Sequence, residues 1–425
     1  MTPMSAPTLV STADAPFNRL NGELYCEEVS LEEIARTYGT PAYVYSSASI
    51  EAAYDRLARA YADVPTLICY ALKASSNLAI AALLARRGAG VDIVSGGELF
   101  RALKAGFPAS KVIFAGVGKT RQEIAEGLDA GILQFTVESA AELEAISEVA
   151  VSTGKIASIA VRVNPDVDPK THPYISTGLK KNKFGVAREE IVDLYRRALE
   201  LPNVEPTGIQ CHIGSQLVHV DPIKDAVDRV AILARELQSI GVPLKYMDIG
   251  GGLAIRYQDE TPEGPEDVAE HVKKHVRDLG VTLLMEPGRF MVGNAATLLT
   301  RVVYTKVNAA KKFVIVDAAM NDLIRPSLYD AYHEIVPVTG RDGSEIVDVV
   351  GPVCESGDFF AHDRALPPVQ NGDLLAILSA GAYGFAMSSN YNSRPRPPEI
   401  LVRGSESRVV RSRETYDDLI RGEVV

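Results

Sequence analysis

Short apolar runs alternate along much of this chain with longer stretches in which apolar residues recur every three or four positions. Those are the signatures of buried strands and amphipathic helices. The strand-like runs end near Lys73, Asp92, Ala115, Glu138, Asn164, His212, Asp248 and Glu286. Helical patterns lie between them, over 76–87, 97–105, 121–130, 139–150, 188–200, 222–240 and 265–279. Eight strands alternating with helices predict an α/β fold, a (β/α)8 barrel of the TIM type. An open doubly wound sheet also alternates, but eight strands with polar residues at their ends favour the barrel.

The pattern differs on either side. A Thr/Ser/Ala/Pro leader precedes a helix at Ser30–Arg36, with Ser30 as N-cap and Glu33 placed for a capping box. A strand at Pro41–Ser46 follows, then an amphipathic helix at Ser49–Asp63 carried by Ile50, Ala53, Tyr54, Leu57 and Tyr61. After Arg289 the helical rhythm stops, and 296–307, 312–317, 345–351, 373–379 and 399–410 read as β segments with turn residues between them. They predict a C-terminal sandwich-like or barrel-like β domain. Pro41–Ser46 would be a ninth strand, one too many for the barrel, so it is assigned to that domain. The expected division is 1–46 joining the β domain, 47–290 as the barrel and 291–425 as the β domain.

Composition narrows the function. The chain has 425 residues, 46% hydrophobic and 23% charged, with a formal net charge of -11. That sign argues against nucleic acid or an anionic membrane as partner. The cysteines Cys26, Cys69, Cys211 and Cys354 are widely spaced, with no C-x-x-C pair and no Cys/His cluster, so no metal site is expected and a reducing compartment is. The first 17 residues hold one charge, Asp14, and no secretory n-region. The uncharged run Leu374–Ser393 contains two glycines, two asparagines and four serines, a poor spanning helix. A cytoplasmic protein is expected.

In a barrel the chemistry sits at the C-terminal ends of the strands. Lys73, Asp92, Glu138, Asn164, His212, Asp248 and Glu286 would therefore form one polar mouth. A lysine at a strand end usually snorkels to water; held out of bulk water, its amine can attack a carbonyl and form a Schiff base. Gly250, Gly251 and Gly252 follow the seventh strand, where backbone N–H groups can converge on an anion. The Glu286–Arg289 segment follows the eighth, and these two loops are where barrels bind phosphate. A Schiff-base lysine and a phosphate cradle on one mouth suggest pyridoxal 5'-phosphate. Glu286 could sit beside its ring nitrogen and His212 against its ring face, with Ser215 donating to the phosphate. The sequence assigns no role to Asp92, Glu138 or Asn164.

Seven segments stand in a recognisable order: Tyr70–Ala74, Cys211–Ser215, Gly250–Leu253, Glu286–Arg289, Met320–Tyr329, Gly351–Asp358 and Gly381–Gly384. In them, from about residue 20 to the C-terminus, the chain resembles the alanine-racemase-fold decarboxylases that use pyridoxal phosphate, and among them the diaminopimelate decarboxylases. Met320–Tyr329 and Gly351–Asp358 separate this branch from relatives with the same barrel. The resemblance implies Lys73 as the covalent anchor of the cofactor, His212 on its ring and Glu286 at its ring nitrogen. It places Ser215, Gly250, Gly251, Gly252, Gly288, Arg289 and Tyr383 around the phosphate. It gives Arg289, Arg325, Tyr329, Glu355 and Tyr383 to the substrate and makes Cys354 the proton donor. Cys354 and Glu355 would come from a neighbouring subunit, so the active unit would be a homodimer. The implied reaction is decarboxylation of meso-2,6-diaminopimelate to L-lysine and CO2, the last step of lysine biosynthesis. An ornithine- or arginine-type decarboxylase would share Lys73, His212 and Glu286 but has no distal carboxylate for Arg325 to meet. An alanine racemase would not want Glu286 at the ring nitrogen. A non-catalytic cofactor carrier would not need Cys354.

Overall fold

The structure, a computed structural model, describes residues 16–167 and 183–425. The Thr/Ser/Ala/Pro leader lies outside the described residues. The chain divides into two compact units. One takes in the described residues up to Ala53, Arg256–Asp259 and Val292–Val425; the other is Tyr54–Ile255 with Glu260–Met291.

The second unit is the barrel. Its strands are Thr66–Ala71, Gly90–Ile93, Val112–Phe114, Gln134–Val137, Ala157–Asn164, Val204–Gln210, Tyr246–Asp248 and Thr282–Met285. Each pairs in parallel with the next, and the eighth pairs with the first through Leu283–Thr66, Leu284–Leu67 and Met285–Ile68, which closes the ring. A two-residue strand, Val186–Ala187, lies against the fifth outside the ring.

Helices fill the connections, and their ends follow local chemistry. Arg121–Ala130 starts on a reciprocal capping box between Thr120 and Glu123 and stops at Gly131, whose left-handed φ of 71° no β-carbon opposes. Ser95 and Ser139 cap their helices in the same way, by accepting from the backbone N–H groups of Glu98 and Glu142.

Strand alternation sorts the barrel interior into layers. Cys69, Ile113 and Leu284 form a buried apolar cluster. Gly90 makes room for it, since a β-carbon there would lie 2.9 Å from Cys69 Sγ and 2.6 Å from the Lys111 carbonyl. Buried polar residues occupy other interior positions: Asp92, Gln134, Thr136, Gln210, Asp248 and Glu286. The interior is thus graded from apolar packing to polar chemistry.

The first unit is built on a mixed sheet. The strand Ala42–Ser46 lies between Ala296–Val307, antiparallel to it, and Glu399–Arg403, parallel to it. The N-terminal strand therefore belongs with the C-terminal ones, as the strand count requires. Ser30 accepts from the N–H groups of Glu32 and Glu33, which is half of the predicted box; the Glu33 carboxylate does not return the bond to the Ser30 N–H, and the Ser30 hydroxyl donates to Glu23. The buried Glu27 carboxylate accepts from the Ala48 N–H and the Ser46 hydroxyl, placing an anion at the start of the helix Ser47–Ala60.

Two details differ from the sequence expectation. The 399–410 segment is not one strand but a hairpin, Glu399–Arg403 and Glu406–Arg411, turned at Gly404 with φ 58°. The strands Phe17–Leu20, Glu23–Cys26, Ile335–Pro337 and Phe359–Leu366 had no counterpart in the hydrophobic pattern.

Candidate active site

Lys73 stands in a 3-10 turn, Leu72–Ala74, directly after the first barrel strand. Its Nζ lies 2.7 Å from Oδ2 of Asp92, which is wholly buried at the end of the second strand. Asp92 therefore has a role the sequence did not supply: it fixes the lysine amine and balances its charge. Fully burying an unpaired carboxylate there would be costly.

Gln210, Asp248 and Glu286, at the ends of strands six, seven and eight, continue the same polar layer. Gln210 Nε2 donates to Glu286 Oε1 at 3.1 Å. Burial pushes the Glu286 carboxyl well above the usual carboxylate range, Asp248 and Asp92 push it further, and Lys73 and Arg162 oppose the shift. Burial likewise raises Asp248, to about 7, against the pull of the Gly250 N–H, which it accepts at 2.8 Å. Asp248 Oδ2 receives no N–H or O–H from the described residues, which adds to the cost of its burial.

His212 follows the sixth strand. Its Nδ1 accepts the Gly251 N–H at 3.2 Å, so the ring is neutral with any proton on Nε2. Burial, then Arg162 and Lys73, hold its pKa well below the ordinary histidine value. Arg162 points back to the histidine: Nη2 donates to the His212 carbonyl at 3.4 Å while Nη1 pairs with Glu138 at 2.9 Å. Glu138 also accepts the Gly185 N–H at 2.7 Å. Its role is to hold Arg162 and the returning chain. Asn164 Oδ1 accepts the Asp166 N–H at 3.0 Å.

The three glycines are demanded by space. A β-carbon on Gly250 would lie 2.7 Å from His212 Nδ1, one on Gly251 2.4 Å from the Glu286 carbonyl, and one on Gly252 2.7 Å from Leu217 Cδ1. A β-carbon on Gly288 would meet those of Ala71 and Ala74 at 3.1 Å. The Glu286 N–H donates to the Gly250 carbonyl at 2.7 Å, and the Ala71 N–H to that of Pro287 at 3.1 Å. The loops after strands one, six, seven and eight are therefore laced together by backbone. Arg289, buried, reaches Ser215 Oγ with Nε and Nη2, each at 3.2 Å.

The barrel thus brings together Lys73, His212, Ser215, Gly250, Gly251, Gly252, Glu286, Gly288 and Arg289. These residues fit pyridoxal phosphate. They offer an amine, a buried carboxyl that accepts from Gln210, and a glycine cradle with a serine and an arginine beside it.

In the β unit, Arg325 and Tyr329 lie on the short helix Arg325–Tyr329. The buried Arg325 guanidinium sits 5.3 Å from the Tyr257 ring centroid and donates to the Ala382 carbonyl at 3.4 Å. Cys354 is exposed, its N–H donating to Asn392 Oδ1 at 3.1 Å. Tyr391 hydrogen-bonds Glu355, which raises the tyrosine pKa. Tyr383 has a left-handed φ of 56° between glycines with no room for a side chain: β-carbons on Gly381 and Gly384 would lie 1.9 and 2.2 Å from the carbonyls of Val292 and Ala380.

One residue ties this region together. Asp358 Oδ1 accepts the Met320 N–H at 2.7 Å, and Oδ2 accepts the Val353 N–H at 2.6 Å. Its carboxylate cross-links the Met320–Tyr329 and Gly351–Asp358 segments. Sequence reasoning missed Asp358, Arg162 and Gln210. Gln210 was within reach, two residues before His212 in a strand that alternates.

Residues 47–293 match the pyridoxal binding domain of the pyridoxal-dependent decarboxylases. The chain is 50% identical over 402 residues to a diaminopimelate decarboxylase of Aquifex aeolicus, covering 94% of this chain and 95% of that one. It is 51% identical over 408 residues to that of Pseudomonas aeruginosa, covering 96% and 98%. Among solved structures, diaminopimelate decarboxylase of Helicobacter pylori complexed with L-lysine superposes with a TM-score of 0.90 at 45% identity, over 92% of this chain and 98% of that one. The M. jannaschii enzyme in co-complex with L-lysine gives 0.93 at 39% identity, over 97% and 99%.

Proposed function

The chain belongs to the pyridoxal-dependent decarboxylases, in the diaminopimelate decarboxylase branch, and from that premise we propose how its residues convert meso-2,6-diaminopimelate to L-lysine and CO2. The cofactor is pyridoxal 5'-phosphate. The barrel would hold it through Lys73, with Glu286 at the ring nitrogen, His212 at the ring face, and Ser215, Gly250, Gly251, Gly252, Gly288 and Arg289 for the phosphate, which Tyr383 would reach from the β unit. Bound there, the group supplies an electron sink for the bonding pair left behind when CO2 departs.

The observation that carries this reading is the arrangement of polar groups at the mouth. Glu286 and Asp248 are buried side by side, which raises both carboxyls, and His212 is neutral because its Nδ1 accepts the Gly251 N–H. A ring-nitrogen cation is the partner that would let Glu286 ionise in place. A neutral imidazole can pack flat without adding charge. Asp92 keeps the Lys73 amine at the mouth, ready to receive a proton when the substrate amine takes its place.

The β-unit residues answer the substrate's far end and the last proton. Arg289, Arg325 and Tyr329 would bind carboxylate, and Glu355 the distal ammonium. Cys354 Sγ would deliver its proton to the substrate Cα after CO2 has left. Its exposure suits a residue that serves a neighbouring subunit. We infer a homodimer with shared sites, working in the cytoplasm; among the described residues no helix is long and apolar enough to cross a membrane.

The test is CO2 release by the purified chain with added pyridoxal phosphate, from meso-diaminopimelate against ornithine and arginine. Release from meso-diaminopimelate alone is expected. Preference for either basic amino acid would move the chain to the ornithine/arginine-type reading.

A further inference from the structure

We infer that Asp228, His271 and His275 form a second, independent site on the barrel unit, one that binds a divalent transition-metal ion. The helix Glu266–Leu279 carries the two histidines four residues apart, so both imidazoles leave the same face one turn from each other. Their ring centroids are 5.3 Å apart. The helix Asp221–Ser239 supplies Asp228, whose Oδ1 lies 2.8 Å from His271 Nε2 and 2.7 Å from His275 Nε2. One ligand atom from each residue can be chosen so that all lie within 4.8 Å of one another.

Two imidazole nitrogens and a carboxylate oxygen make a donor set that Zn2+ accepts in tetrahedral geometry, with the fourth position left to water. The same set disfavours the hard alkaline-earth ions, because Ca2+ and Mg2+ want oxygen. All three side chains are half-buried, so the two helices fix them while an ion can still enter from solvent. No cysteine takes part, which is why cysteine spacing gave no sign of the site; the sequence signal is His271-x-x-x-His275.

The plainer reading is a pair of Nε2–H···Oδ1 hydrogen bonds pinning the helices together. The two readings differ in the proton. A metal needs the Nε2 lone pair, so the imidazole proton must move to Nδ1. Arg235 Nη2 lies 3.5 Å from His275 Nδ1, where it competes with that tautomer and adds a positive charge. Asp278 Oδ2, 3.7 Å from Arg235 Nη2, can take the guanidinium instead. Of the lysines between the histidines, Lys273 is engaged by Asp63 at 2.8 Å and Glu270 at 2.5 Å, and Lys274 is exposed.

The full-length chain, loaded with its cofactor and freed of metal with a chelator, is titrated calorimetrically with Zn2+. A stoichiometric site is expected. It should weaken by about tenfold or more in His271→Gln and in Asp228→Asn. It should tighten in Arg235→Gln, with the cofactor's visible absorbance unchanged throughout. Co2+ in place of Zn2+ should give the intense visible bands of a four-coordinate ion, and Zn2+ should displace them. Uptake of Zn2+ by the His271→Gln/His275→Gln double variant as tight as in the unaltered chain overturns the inference. So does a Co2+ spectrum of the unaltered chain with only weak six-coordinate bands, a result that needs no variant to fold.

Discussion

At the residue scale, the glycine cradle is the feature whose necessity is most directly visible. Gly251 is not held by a left-handed backbone; it is held by the Glu286 carbonyl, which a β-carbon would approach to 2.4 Å. Backbone cannot yield as a flexible side chain does, so Gly251→Ala must displace the loop carrying Glu286. Overpacking of this kind costs about 1–3 kcal/mol, or roughly a 5- to 150-fold loss of cofactor affinity if it falls on the bound state. Titration with pyridoxal phosphate, followed by its visible absorbance, checks this, and unaltered affinity would mean that the loop accommodates the methyl freely. The residues of the site were legible because polar side chains at successive strand ends have no structural reason to gather. Their supports were less so. Asp92 was visible only as a strand-end acid, and its pairing with Lys73 depends on adjacent strands being in register, which no local pattern states.

At the scale of elements, the Met320–Tyr329 and Gly351–Asp358 loops depend on buried carboxyls. Asp358 accepts backbone N–H groups from both, and Asp358→Ala would leave the Met320 and Val353 donors without it. Each unpaired buried donor costs about 1–3 kcal/mol. The thermal midpoint of the β unit should drop, and turnover should fall further than cofactor affinity, since Arg325 and Cys354 sit on the loosened segments; loss of cofactor with turnover per bound cofactor intact would contradict this. Asp322, in the first of the loops, is raised to about 7, chiefly by burial. Its native form thus keeps a proton that the unfolded chain has already released. Its contribution to stability is full below about pH 4, is lost as pH rises toward 7, and changes little beyond; the slope reaches about 1.4 kcal/mol per pH unit. Asp322→Asn removes that slope, so the stability of the variant relative to the unaltered chain should climb between pH 4 and pH 7 in urea titrations. A difference independent of pH would place the proton elsewhere. Helices and barrel strands were legible because capping residues and buried runs are local signals. Phe359–Leu366 was not. Its partner strand pairs with it through two register irregularities, at Val347/Val349 and Val349/Val350, and its exposed middle breaks the period-two pattern.

At the scale of the whole molecule, the barrel and the placing of an N-terminal strand among C-terminal ones followed from counting strands, because a ring of eight has no position for a ninth. Assembly is a different matter, since no periodicity encodes a partner. It can be tested through the division of labour proposed here, in which Lys73 acts in its own subunit and Cys354 in its neighbour's. Lys73→Ala and Cys354→Ala chains should each be inactive as homodimers. When the two are mixed, unfolded and refolded together, random pairing makes half of the dimers mixed. In a mixed dimer one site joins Lys73→Ala to Cys354→Ala and is dead. The other joins the intact Lys73 of one chain to the intact Cys354 of the other. Activity should therefore recover to about a quarter of that of the unaltered protein, with half of the sites of half of the dimers restored. If Cys354 served its own subunit, every site in the mixture would carry a defect and no activity would return. Separating the species with two affinity tags distinguishes that outcome from a failure to pair. Mixed dimers that are isolated and inactive would refute the shared site while leaving the roles of Lys73 and Cys354 standing.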